Sequence, residues 1–130
     1  LPVKSKKLKV RNRYFNYLVV ADENEDTLIQ KRTAKGIWQN LYEFPLIETA
    51  KEEGFDHVAE QIQMDYFAEN EVVSIMSCNE KSIIHKLSHQ HLYIKFWKVS
   101  LKGAVENGIS NEVLKTFPFP IVIHNFIEQE

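Results

Sequence analysis

The chain has one cysteine, Cys78, among its 130 residues. A single thiol cannot close an internal disulfide or build a four-thiolate zinc or iron–sulfur site, and no histidine stands near Cys78 in an arrangement that would activate it as a nucleophile. Cys78 is therefore expected to be a small buried apolar residue. No apolar run approaches the roughly 20 residues that cross a bilayer, and the N-terminus lacks the apolar core of a signal peptide. No membrane partner is expected, and a cytoplasmic or nucleoid-associated setting is. Acidic residues are absent from residues 1–13, which carry Lys4, Lys6, Lys7, Lys9, Arg11 and Arg13, whereas the rest of the chain is acidic enough to bring the net charge to −2. A basic terminal segment can neutralise phosphates through counterion release, or can simply be a solvated linker held extended by self-repulsion.

With 44% hydrophobic residues the chain can bury the core of one ordinary domain. Residues 13–20 are rich in β-branched and aromatic side chains and predict a strand, Asp22 to Asp26 a turn, and Thr27 to Arg32 a returning hairpin strand. After Gly36 comes a second apolar stretch, from Ile37 to Ile47. Phe55, Val58, Ala59 and Ile62 recur at helical spacing and predict a helix over 55–66 with that face on the core. Further strands are expected over 71–77, 81–87 and 91–101. In the last of these Leu92, Ile94 and Phe96 alternate with Tyr93, Lys95 and Trp97. Ser110 and Asn111 suit the cap of a short helix over 112–116, and Pro120 suits the first turn of a helix over 121–127. The expected fold class is α/β (α+β), a mixed sheet flanked by two or three helices, with neither an internal repeat nor a low-complexity segment.

The densest group of chemically capable side chains is His85-Lys86-Leu87-Ser88-His89, near a turn between two strands. Histidines at 85, 89 and 91 invite a metal reading, but no carboxylate or cysteine follows His85 within seven residues and the spacing fits no zinc signature. Ser88 lacks the G-x-S-x-G elbow that would make it a hydrolytic nucleophile. A polar loop is the plainer reading. Glu52-Glu53-Gly54 echoes the end of the Nudix box of nucleoside-diphosphate hydrolases, G-x5-E-x7-R-E-U-x-E-E-x-G-U. Counted from Gly36, however, the box's Glu, Arg, Glu, Glu and Glu positions hold Tyr42, Ala50, Lys51, Gly54 and Phe55, and no arginine follows Arg32. Glu52 and Glu53 then read as a solvated helix start, favoured by the helix dipole. Tyr42, Trp38 and Phe44 read as core residues.

Four segments in order, Leu1-Pro2-Val3-Lys4-x-Lys6-Lys7, Arg13-Tyr14-Phe15-Asn16-Tyr17, Gly36-Ile37-Trp38-x-x-Leu41-Tyr42-Glu43-Phe44-Pro45 and His85-x-Leu87-Ser88-His89, resemble the C-terminal domain of MutY-type adenine DNA glycosylases. That resemblance implies a Nudix-like fold without the box. Residues 1–12 would be a basic interdomain linker and 13–130 a domain that recognises 8-oxoguanine opposite adenine in base excision repair. The catalytic helix-hairpin-helix domain, with its [4Fe–4S] cluster, would belong to the parent enzyme and be absent here, leaving a fragment with no catalytic residue, metal or cofactor of its own. Leu87, Ser88 and His89 would meet the lesion, while Lys4, Lys6, Lys7 and Lys9 would run along the DNA backbone. Duplex DNA carrying 8-oxoguanine:adenine mispairs and the parent's catalytic domain are the implied partners. The family commonly has phenylalanine where this chain has Leu87, which can wedge against a base but cannot stack on it. The alternative from another class is a divergent Nudix-type nucleotide pyrophosphatase.

Overall fold

The computed structural model describes residues 9–67 and 70–129. In chain order the strands are β1 (Arg11–Ala21), β2 (Gln30–Lys31), β3 (Tyr42–Glu43), β4 (Leu46–Thr49), β5 (Val72–Ser77), β6 (Ile83–Lys86) and β7 (Gln90–Leu101). The helices are α1 (Phe55–Gln61), which runs on into a π-helical turn over Ile62–Tyr66, α2 (Asn111–Leu114) and α3 (Ile121–Gln129). The fold is mixed α+β, as the sequence patterns imply. Ser110 caps α2, its hydroxyl accepting from the Val113 N–H at 3.2 Å, and α3 starts directly after Pro120.

The two longest strands, β1 and β7, lie side by side and parallel, from Arg11 opposite Gln90 to Ala21 opposite Ser100. β4 pairs antiparallel with the other side of β1, Tyr14 opposite Thr49. The outer side of β7 is shared: β6 pairs with it from His91 to Ile94, and β5 from Trp97 to Leu101. Between these two edge strands the ladder is completed by the connecting segment. The Cys78 N–H donates to the Phe96 carbonyl at 2.8 Å, and the Asn79 side chain accepts from the Phe96 N–H at 2.9 Å while donating to the carbonyls of Lys81 (2.8 Å) and Ile94 (3.1 Å). One amide side chain therefore stands in for a missing length of strand.

The hairpin expected between β1 and residues 27–32 does not form. Asp22 winds the chain away from the sheet: one carboxylate oxygen accepts from the N–H groups of Asn24 (2.8 Å) and Asp26 (2.9 Å), and the other from Val105 (2.9 Å). Thr27 then bridges to Ile109, and β2 pairs with β3 in a separate ribbon. Cys78, expected inside, is exposed, because it sits in the connection beside an edge strand and not on a covered face.

Burial changes face midway along the central strands. On β1, Phe15 and Tyr17 enter one core and Leu18 and Val20 the other; on β7, Leu92, Ile94 and Phe96 enter the first and Trp97, Val99 and Leu101 the second. Tyr17 lies opposite Phe96 and Leu18 opposite Trp97, so the change occurs at the same level in both strands. α2 and α3 cover the first core through Leu114, Val122, Ile123 and Ile127; α1 and its π turn cover the second through Val58 and Ile62. Helices on opposite faces explain why β1 reads as a nearly continuous apolar run.

Candidate functional site

The β6–β7 hairpin turns over Leu87, Ser88 and His89, with the Leu87 N–H donating to the Gln90 carbonyl at 2.7 Å. A second bond ties the turn to the sheet: the Arg11 N–H, at the start of β1, donates to the His89 carbonyl at 2.9 Å. Leu87 is half-buried and packs against the first core, which fixes the hairpin from below. Ser88 and His89 are exposed at the tip. Neither the hydroxyl nor the backbone N–H of Ser88 has a partner among the described residues. The result is a tethered turn presenting an unspent donor and an unspent donor-acceptor to solvent.

The histidines do not converge. His85 lies opposite Leu92 and His91 opposite Lys86, so they project from opposite faces of the sheet. The His85 ring instead meets Trp38, with centroids 5.8 Å apart. Trp38 has φ +58°, a backbone conformation that bulky residues rarely adopt, and also packs edge-on against Phe15 at 6.2 Å. It thereby pins the 33–40 loop against both β1 and β6. Phe44 is fully buried in the first core, whereas Tyr42 is half-buried against Phe117.

Beside the hairpin, Arg13 grips Glu48 with two hydrogen bonds of 2.9 and 2.8 Å and donates to the Gln90 side chain at 2.9 Å. The bond to Arg13 holds the Glu48 carboxyl below the ordinary glutamate range, outweighing partial burial, and Glu48 in turn holds the Arg13 guanidinium above its own. Lys9, Arg11 and Lys86 are exposed at this end of the sheet. Lys4, Lys6 and Lys7 lie outside the described residues.

Glu43, Glu52 and Glu53 each lie beside structural partners. Glu43, buried in the ribbon, accepts from the Tyr17 hydroxyl (3.0 Å), Arg32 (2.8 Å) and Gln30 (2.9 Å). Burial, and then the Glu43 charge, push the Tyr17 phenol far above the ordinary tyrosine value. Glu52 accepts from Ser82 at 3.0 Å, and Glu53 lies 4.0 Å from His57. Among the described residues no three of His, Cys, Asp and Glu gather as a metal site would require. Neither the Arg13–Glu48–Gln90 cluster nor the Glu43 network is visible in local sequence patterns. Glu43 carried a signal, since an acid between Tyr42 and Phe44 in an apolar stretch needs a buried partner.

Two solved structures share this architecture. The MutT protein from Methanosarcina mazei Go1 superposes with a TM-score of 0.56 at 14% identity, over 95% of each chain. The E. coli ORF135 protein does so with a TM-score of 0.58 at 14% identity, over 92% of this chain and 88% of its own. Such low identities bear on the fold alone. The family model described as the NUDIX domain matches residues 16–129, nearly the whole described sheet and all three helices. This chain therefore belongs to the NUDIX domain family.

Proposed function

We propose that this NUDIX domain is a non-catalytic reader of 8-oxoguanine opposite adenine, the recognition half of an adenine DNA glycosylase. The observation that carries the reading is the tip of the β6–β7 hairpin, where Ser88 holds its hydroxyl and its N–H unbonded on a turn anchored by Arg11 and Leu87. Guanine offers N7 only as an acceptor, whereas 8-oxoguanine has a hydrogen on N7 and an oxygen at C8. A serine answers that pattern with its hydroxyl accepting from N7–H and its backbone N–H donating to O8. Against plain guanine the backbone N–H loses its partner, at about 1–3 kcal/mol if left buried and unsatisfied, and the hydroxyl has to turn over to donate to N7.

His89 stands beside Ser88, in reach of the lesion or the backbone, and Lys9, with Lys4, Lys6 and Lys7 of the same basic segment, would supply charge to phosphate. Leu87, packed downward, serves as the anchor of the tip more than as a wedge between bases. Adenine removal would belong to the partner catalytic domain and its [4Fe–4S] cluster, in a cytoplasmic, nucleoid-associated enzyme. NMR titration of this domain with a short duplex containing 8-oxoguanine, compared with guanine, tests the reading. Shifts should concentrate at Leu87 to His89 and at Lys9; shifts centred on Glu52 and Glu53 would overturn it.

The family match and the likeness to a MutT protein by themselves lend more support to a second reading, a divergent Nudix pyrophosphatase. Against it stand the missing box residues and, among the described residues, the lack of any group of three His, Cys, Asp or Glu side chains that could hold magnesium. Magnesium-dependent release of pyrophosphate from nucleoside triphosphates by the purified domain would establish it.

A further inference from the structure

On the first face, among β1, β7, α2 and α3, lies a cavity of about 250 Å3. Its floor is apolar, formed by Val19, Phe44, Leu114, Phe126 and Ile127. Lys98, Glu25 and Asn111, all exposed, stand around it, and neither charged side chain has an ion-pair partner among the described residues. Thr27 also lines it. That residue is 7% exposed, and its hydroxyl has no hydrogen-bond partner. The Thr27 backbone cannot relieve this, because its N–H and carbonyl are both bonded to Ile109 at 2.9 Å. A buried hydroxyl left unpaired carries a desolvation penalty that an incoming ligand can remove.

We propose that this cavity binds a small neutral heteroaromatic ring whose edge carries a donor and an acceptor on adjacent atoms. Neutrality follows from the lining, which offers one cation and one anion. A phosphate or carboxylate attracted by Lys98 would be opposed by Glu25. Ring character follows from the floor, where Phe44 and Phe126 supply aromatic surface. The paired edge follows from Thr27, whose hydroxyl both accepts and donates. The volume lies just below the usual range for ligand pockets and suits one or two fused rings. The site is separate from the hairpin tip: Arg11 touches the tip and Ala21 lines the cavity, ten residues apart on one strand, roughly 30 Å at the strand rise.

The test titrates 7-azaindole, which has a donor beside an acceptor, and indole, which has the donor alone, into the 15N-labelled chain. Saturable shifts are expected at the amides of Val19, Thr27 and Asn111, with 7-azaindole binding about tenfold tighter than indole. Thr27→Val, which keeps the shape and removes the hydroxyl, should abolish that preference. Ala21→Phe, or Lys98→Phe at an exposed position on the same wall, should abolish binding of both. The proposal is overturned by the absence of saturable shifts, by shifts that survive both blocking variants, or by an undiminished preference in Thr27→Val. Ser88→Ala should leave every one of these readouts unchanged, so failure here is distinguishable from failure of the lesion-reading function.

Discussion

Replacing Ser88 by alanine should separate specificity from stability. In the free domain the Ser88 hydroxyl bonds to nothing described and sits exposed at a turn, so its removal falls among surface changes worth within about 0.5 kcal/mol of folding free energy. In the proposed lesion contact the same hydroxyl would accept the N7 hydrogen, and its loss would leave that donor unpaired. At about 1–3 kcal/mol, kcat/KM on the 8-oxoguanine mispair should fall roughly 5- to 150-fold, with a smaller fall on the guanine mispair, so that the preference declines. Two assays are required: kcat/KM on both mispairs in a full-length enzyme carrying the substitution, and urea unfolding of the isolated domain. An unchanged preference at unchanged stability would refute the role given to Ser88. A large loss of stability would refute the claim that the tip is held from Leu87 and Arg11 and not through Ser88. Ser88→Thr, which keeps the hydroxyl and adds a methyl group, should retain more discrimination than alanine.

Asn79→Ala removes three hydrogen bonds and leaves the Phe96 N–H unpaired in mid-sheet, so chemical denaturation should show a loss of about 2–4 kcal/mol, with amide exchange accelerating first in β6. Glu48 and Asp22 are both held below the ordinary carboxylate range, Glu48 chiefly by Arg13, and Asp22 by the Val105, Asp26 and Asn24 N–H groups acting against its burial. The unfolded chain therefore binds protons first, and stability should be complete above about pH 5 and fall as pH drops through the depressed folded values. Asp22→Asn combined with Arg13→Met should flatten that acid limb of the stability curve. Tyr17 is shifted the opposite way: the unfolded chain loses the phenolic proton near pH 10 while the folded chain keeps it, so stability should decline as pH rises beyond about 10. Tyr17→Phe should remove that alkaline decline at a cost of about 1–2 kcal/mol at neutral pH, measured by thermal unfolding.

Local signals in the sequence reached as far as local physics does. The periodicity from Phe55 to Ile62, the Ser110 cap and the alternation around Leu92 each reflect a preference written within a few residues, and each element forms there, although Phe55, expected on the core with Val58 and Ile62, is 49% exposed at the start of α1. The hairpin expected over Thr27 to Arg32 does not form because the Asp22 turn is tied to a distant partner, Val105, that no local window contains. The parallel pairing of β1 with β7 joins residues about eighty apart, which no window can see. Around the candidate site, a polar Ser88-His89-Gln90 between apolar runs made the turn legible. The divergence of His85 and His91 depends on cross-strand register, and the grip of Arg13 on Glu48 and Gln90 depends on strands that meet only after folding.

The aligned change of burial at Tyr17/Leu18 and Phe96/Trp97 also acts as an index mark for assembly. A slip of one residue between the two central strands would exchange inward and outward side chains over the whole interface. A slip of two would keep the faces but set the two crossover points out of line, driving apolar groups of one strand into water at both ends of the mismatch. An ordinary one-faced strand tolerates the second error far better than the first. Here both are penalised, so a chain with few turn signals to guide a parallel pairing still has one register in which both of its cores close.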